Sequence, residues 1–186
     1  MKNTDNKKGF SLIELVISVS IISLLATIFL ANYHNINQRT DLAMTAQTLV
    51  SDIRFAQSNA LGLIKYGEEI PGGGWGIFIS ANPEDRQYII FADTDSNREV
   101  SFNEDELSFG ARTVVLPEKI SIDEIYLDSG TVVSDVNIVF LPPDPVTYII
   151  TQFGDTSAIN IRLKESINNT TKTVRVNFLG LVEVID

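Results

Sequence analysis

One stretch limits what this chain can become more than any other. From Phe10 to Ala31 the sequence runs 22 residues with a single charge, Glu14. As a helix it would be about 33 Å long, enough to cross a hydrocarbon core of about 30 Å. A helix that is apolar on all sides belongs in a protein interior or a membrane. Lys7 and Lys8 precede the run. Flanking lysines hold a leader on the cytoplasmic side, which places the rest of the chain outside the cytoplasm. An ordinary secretory signal has a shorter apolar region of about 7–15 residues with a small-residue cleavage site after it. Here Ala-Asn-Tyr-His follows the run, and the small residue suited to a cut, Gly9, precedes it. A lipoprotein signal is excluded because the chain has no cysteine.

Glu14 is the informative residue. A carboxylate within a membrane helix costs about 2.5–3.5 kcal/mol at the centre, less near an end, and marks a functional site by default. The bland alternative is a charge snorkelling at the membrane edge. The whole arrangement, a lysine-bearing leader, Gly9, Phe10 and then Glu14 at the fifth place after the glycine, resembles the class III signal sequence of type IV pilins and type II secretion pseudopilins. That resemblance implies that a prepilin peptidase cuts after Gly9 and N-methylates Phe10. It implies that Glu14 pairs with the N-terminal amine of a neighbouring subunit during assembly. The implied partners are other pilin or pseudopilin subunits, the prepilin peptidase, an inner-membrane assembly platform, and the lipid bilayer before assembly. The implied location is the inner membrane, crossed once, then a pilus or pseudopilus.

The chain has 186 residues, with 14 Lys+Arg against 24 Asp+Glu, a net charge of −10. Removing residues 1–9 takes away Lys2, Lys7, Lys8 and Asp5 and leaves −12. Such an acidic surface opposes unspecific binding to a phosphate backbone, which depends on Lys and Arg. It suits divalent cations. Without cysteine there is no disulfide, thiol nucleophile or thiolate metal site. The one histidine, His34, lies just past the apolar run, where it is badly placed as the base of a Ser-His-Asp triad. No enzymatic activity is expected.

Beyond Tyr33 the pattern becomes amphipathic. Leu42, Ala46, Leu49, Ile53, Ala56, Ala60 and Leu63 recur at steps of four and three. One helix over about residues 10–64 is expected, or two helices broken near Asn32–Asn37. Phe55 lies off the stripe, suggesting contact on more than one side. Pro71-Gly-Gly-Gly breaks the chain. Nine strand-like runs then extend to Ile185, several alternating apolar and polar residues as half-buried antiparallel strands do. Asn168-Asn-Thr-Thr and Leu179-Gly180 read as turns. The expected fold is α+β: a long N-terminal helix, part membrane-spanning and part amphipathic, packed on an antiparallel β-sheet head. The divisions are a leader at 1–9, a transmembrane or filament-core helix at 10–31, its amphipathic continuation at 32–70, and a β-rich head at 71–186.

Ser51-Asp-Ile-Arg-Phe-Ala-Gln-Ser-Asn-Ala60, Gly74-Trp-Gly-Ile-Phe-Ile79 and Phe91-Ala-Asp-Thr-Asp-Ser-Asn97 are similar to segments of the GspH/FimT group of minor pilins and pseudopilins. The resemblance implies a low-abundance filament subunit that primes assembly or modifies function. Some members bind DNA through a basic C-terminal segment. Here the matching end is Gly180-Leu-Val-Glu-Val, without its arginines, so DNA is not an expected partner by that route. A second possibility is that the head is a binding module for an exported substrate, a surface or DNA.

The segment from Asp93 to Glu104 offers oxygen ligands at alternate positions. Asp93, Asp95 and Asn97 would bind directly, Glu99 through its backbone carbonyl, and Glu104 twelve along. That spacing suits a calcium loop. Arg98 stands where such loops place glycine, and strand-like runs flank the segment. The alternative is a solvated acidic loop.

Overall fold

The computed structural model describes residues 11–82, 84–100, 112–143 and 146–185, and of residues 31–39 the backbone alone. Among the described residues, one helix, α1 (Leu12–Leu61), is followed by eleven strands. They are β1 (Gly74–Ser80), β2 (Gln87–Asp93), β3 (Arg112–Val115), β4 (Ile120–Leu127), β5 (Val132–Val133), β6 (Asp135–Leu141), β7 (Val146–Thr151), β8 (Gly154–Asp155), β9 (Ala158–Glu165), β10 (Thr171–Asn177) and β11 (Val182–Ile185). The chain divides into two compact units, Met1–Gln38 and Arg39–Asp186. The architecture is α+β, as the sequence pattern leads one to expect. The backbone is helical through residues 32–37, in line with one helix and not with the alternative of two helices broken there.

The helix ends at Leu61, three residues before the expected end. The Leu63 N–H donates to the Ala60 carbonyl and the Ile64 N–H to the Asn59 carbonyl. This pair of bonds is the Schellman termination, which needs a left-handed residue, usually glycine. Leu63 fills that place with φ 50°. The chain turns one residue after Gly62, and a leucine takes the strained conformation.

Within the unit Arg39–Asp186, Leu42, Ala46, Leu49, Ile53, Ala56 and Ala60 are buried. They form one core with residues of both sheets, among them Ile77, Ile90, Ile138, Ile125, Ile161 and Val174. Phe55, off this stripe, is half exposed. Every ladder between named strands is antiparallel. One sheet has the order β3-β2-β1-β6-β7-β8 and the other β11-β10-β9-β4-β5. The short strands β5 and β8 are additions to the nine runs read from the sequence.

The middle of the first sheet departs from simple alternation. In β2 and β6 nearly every residue is buried. Ile77, Ile90 and Ile138 lie in the main core, while Ile89, Phe91, Val139 and Val100 form a second apolar cluster with Phe78 and Tyr148 packed against it. Gly76 pairs across the ladder with Phe91, and a Cβ there would strike the Phe91 ring. The bare glycine thus makes room for the aromatic ring, a pairing that rescues a strand glycine.

The helix is fastened to the sheets by polar contacts. Tyr88 donates to Asp52 at 2.6 Å, and Arg112 pairs with the same carboxylate. Arg54 and Gln57 donate to the carbonyls of Val182 and Gly180. Gly180 turns the last hairpin at φ 75°, confirming the reading of Leu179-Gly180 as a turn.

Candidate functional site

Two regions carry the residues singled out from the sequence. The first is the start of α1. The segment Leu12–Leu30 is long and apolar enough to cross a membrane, and every side chain from 11 to 30 is exposed. An exposed apolar surface of this extent needs a cover. Glu14 stands in the first helical turn, where the helix dipole favours a negative charge. The hydroxyls in this segment do not compromise its apolar character. Ser18 donates to the Glu14 carbonyl, Ser20 to Val16 and Thr27 to Ser23, so these three find their partners one turn back in their own helix. Gly9 and Phe10 lie outside the described residues.

The second region is the loop that leaves β2 at Asp93. It runs against the first sheet and is tied to it at several points. Asp93 is completely buried. Its Oδ2 accepts the Arg98 N–H at 2.8 Å, whereas its Oδ1 is buried without a hydrogen-bond partner. Burial pushes the Asp93 carboxyl up from 3.8 to about 6, opposed by the Arg98 N–H and assisted by the neighbouring Asp95. Asp95 accepts the Asn97 N–H, and Asn97 accepts the Glu99 N–H. Arg98 takes the left-handed conformation, φ 65°, and its guanidinium lies 3.9 Å above the Tyr148 ring. The Val100 N–H donates to Asn137 on β6 at 3.0 Å, which anchors the far end of the loop.

The Pro71-Gly-Gly-Gly segment therefore has a task beyond breaking the chain. The Gly73 N–H donates to the Asp93 carbonyl, and a Cβ on Gly73 would overlap the Asp93 carboxylate. A Cβ on Gly72 would press on the Ser96 hydroxyl. Two glycines thus form the floor on which the acidic loop rests. Of the residues proposed as cation ligands, the structure brings Asp93 and Asp95 together and places Asn97 and Glu99 on the same turn. Glu104 lies outside the described residues. Among the described residues no three Asp, Glu or His side chains converge. Sequence reasoning missed Gly72, Gly73 and Asn137 as supports of the loop. Only the glycine run gave a visible signal.

The C-terminal hairpin is not basic in character. Arg175 on β10 lies 2.7 Å from Asp128 and 3.7 Å from Glu183, so its charge is matched by two carboxylates.

The family described as "Prokaryotic N-terminal methylation motif" matches residues 4–30. Two proteins from Pseudomonas aeruginosa, each named "Fimbrial protein", are 37% identical to this chain over 84 residues. The similarity covers 45% of this chain and 47% of each relative; the chain spans about half the length of the curated relatives it matches. No solved structure matches. The N-terminal motif, the exposed apolar helix and the antiparallel sheets fit a membrane-anchored structural protein, and the chain is type IV pilin-like.

Proposed function

We propose that this chain is a minor pilin or pseudopilin, a subunit added to a type IV pilus-like or type II secretion filament. The observation that carries this reading is the methylation motif at residues 4–30 leading into a segment, Leu12–Leu30, none of which is buried. Before assembly, lipid covers that surface, with the head outside the cytoplasm and the lysine-bearing leader inside. After assembly, the helices of neighbouring subunits cover it. Without a hydrophobic drive between lipid and protein, close packing of small residues holds such helices together. Ser18, Ser23 and Ala26 permit that approach.

In this reading a prepilin peptidase cuts after Gly9 and methylates the new amine of Phe10. Glu14 then meets the amine of an adjacent subunit. The pairing offsets the cost of a carboxylate in apolar surroundings, and a subunit out of register leaves that charge alone. An inner-membrane platform would bring the subunits together.

Mass spectrometry of the mature N-terminus tests the processing step. The expected product begins at N-methyl-Phe10; a mature chain beginning at Met1 overturns the proposal. Gly9→Ile should leave uncleaved precursor. Glu14→Val should be processed normally but excluded from filaments. Its incorporation at the normal level would refute the assigned role of Glu14.

A further inference from the structure

We propose that the loop from Asp93 to Glu99 binds a calcium ion through Asp93 Oδ1, the side-chain oxygens of Asp95 and Asn97, and the main-chain carbonyl of Glu99. The proposal is independent of filament assembly. The donor set consists wholly of oxygen, at the first, third, fifth and seventh places of the turn, as hard divalent cations require.

The independent observation is the state of Asp93. Its side chain is 0% exposed, and the two oxygens of its carboxylate have different fates. Oδ2 is held by the Arg98 N–H. That bond spans the turn. Oδ1 is buried and receives no hydrogen bond. A buried acceptor with no partner is costly, and a buried carboxylate still more so unless it is paired or binds metal. The neighbouring Asp95 lies within hydrogen-bonding reach of the Asp93 carboxyl, and its negative charge adds repulsion. The loop's own cation does not relieve it: the Arg98 guanidinium is seated over Tyr148. A cation between Asp93 and Asp95 would satisfy the open oxygen and remove the repulsion together.

The substitution of arginine for the usual glycine does not prevent this. Arg98 adopts φ 65°, the left-handed conformation that the sharp turn requires. The price of a side chain there is partly offset by the cation–π contact with Tyr148. The absence of a side chain on Gly73 makes room for the Asp93 carboxylate itself.

Calcium is favoured over magnesium. Magnesium demands near-ideal octahedral geometry and gives up its water reluctantly, whereas calcium accepts mixed carboxylate, amide and carbonyl oxygens. With two carboxylates in the described site, half-saturation should fall at about 0.1–1 mM, the range of extracellular modules.

The test is calorimetric titration of the full chain in mild detergent with calcium chloride, in parallel with thermal unfolding. Wild type should show saturable heat and a calcium-dependent rise in Tm that magnesium does not reproduce. Asp93→Asn should abolish both. Because Asp93 is buried and that variant could fail to fold, the exposed Asp95→Asn is the second arm. It should weaken binding about ten-fold or more, since even outer-shell losses cost metal sites roughly 10–100-fold. Asp155→Asn, an exposed carboxylate on β8, should respond like wild type. No saturable heat in wild type, an unchanged affinity in Asp95→Asn, or an equal loss in Asp155→Asn would each overturn the site.

Discussion

Replacing Tyr88 by phenylalanine removes one oxygen from the interior of the head and leaves the ring packing in place. That oxygen belongs to a three-residue contact joining the helix to the first sheet. Tyr88, 2% exposed, donates to Asp52 Oδ2 at 2.6 Å. Arg112 reaches Oδ1 of the same carboxylate from the edge strand β3. The side chains of Arg112 and Asp52 are 58% and 10% exposed. The two bonds should therefore differ in value. A buried hydrogen bond to a charged group contributes about 1.5–3 kcal/mol, whereas a pair open to water on one side contributes about 0–1 kcal/mol. Tyr88→Phe should lower Tm by roughly 3–12 °C and Arg112→Met by less than about 4 °C, at about 2–4 °C per kcal/mol for a chain of this size. Thermal unfolding of the full chain in mild detergent, followed by circular dichroism, measures both. The same contact predicts a pH effect. Burial, the hydrogen bond to Asp52 and its charge raise the phenol of Tyr88 well above its ordinary 10.0. The folded state then keeps a proton that the unfolded chain gives up. Its stabilising contribution is complete below the unfolded pKa of about 10 and declines as pH rises above it. Tyr88→Phe should flatten that alkaline loss. An equal Tm loss in Arg112→Met, or an unchanged alkaline limb in Tyr88→Phe, would refute the argument.

Two further substitutions probe the helix. Ile53→Ala, at a fully buried position of the main core, should destabilise by about 2–5 kcal/mol; urea denaturation at constant slope reads the change. Leu63→Gly should stabilise, because the left-handed conformation costs a leucine about 1–2 kcal/mol and this side chain is 45% exposed. The urea midpoint should rise, and a fall would mean that the Leu63 side chain contributes more by packing than it costs in backbone strain.

The helix and most strands were legible because each leaves a periodic trace. The steps from Leu42 to Leu63 mark a buried helical face, and all those residues are buried except Leu63, which lies past the helix end and is exposed. The alternation at Ile159, Ile161 and Leu163 marks a strand with one face in the core, and these three are fully buried as well. What the pattern could not convey was partnership. β5 and β8 have two residues each, too few for a period to show. The grouping of strands into two sheets depends on crossovers, such as β1 pairing with β6, that no local signal encodes. The helix terminus was misplaced for a related reason. Gly62 advertises a turn, yet the left-handed position falls on Leu63, and only the bonds to Asn59 and Ala60 decide between neighbours.

The acidic loop was legible as a donor spacing and illegible as a structure. Asp93, Asp95 and Asn97 read alike in sequence, as polar residues expected to face water. Their roles diverge because Asp93 is still the last residue of β2, paired with Gly74, and its side chain is enclosed with the sheet. Asp95 and Asn97 lie beyond the strand and remain exposed. Gly73 is what permits the enclosure, since any larger residue would occupy the volume of the carboxylate. A glycine run twenty residues upstream thus shapes the environment of an aspartate, and only the β1–β2 register connects them. At the other end of the chain the relation is reversed. In the proposed function, the spacing from Gly9 to Glu14 acts through chemistry on the chain terminus and through neighbouring subunits, and that role does not depend on the fold of the head.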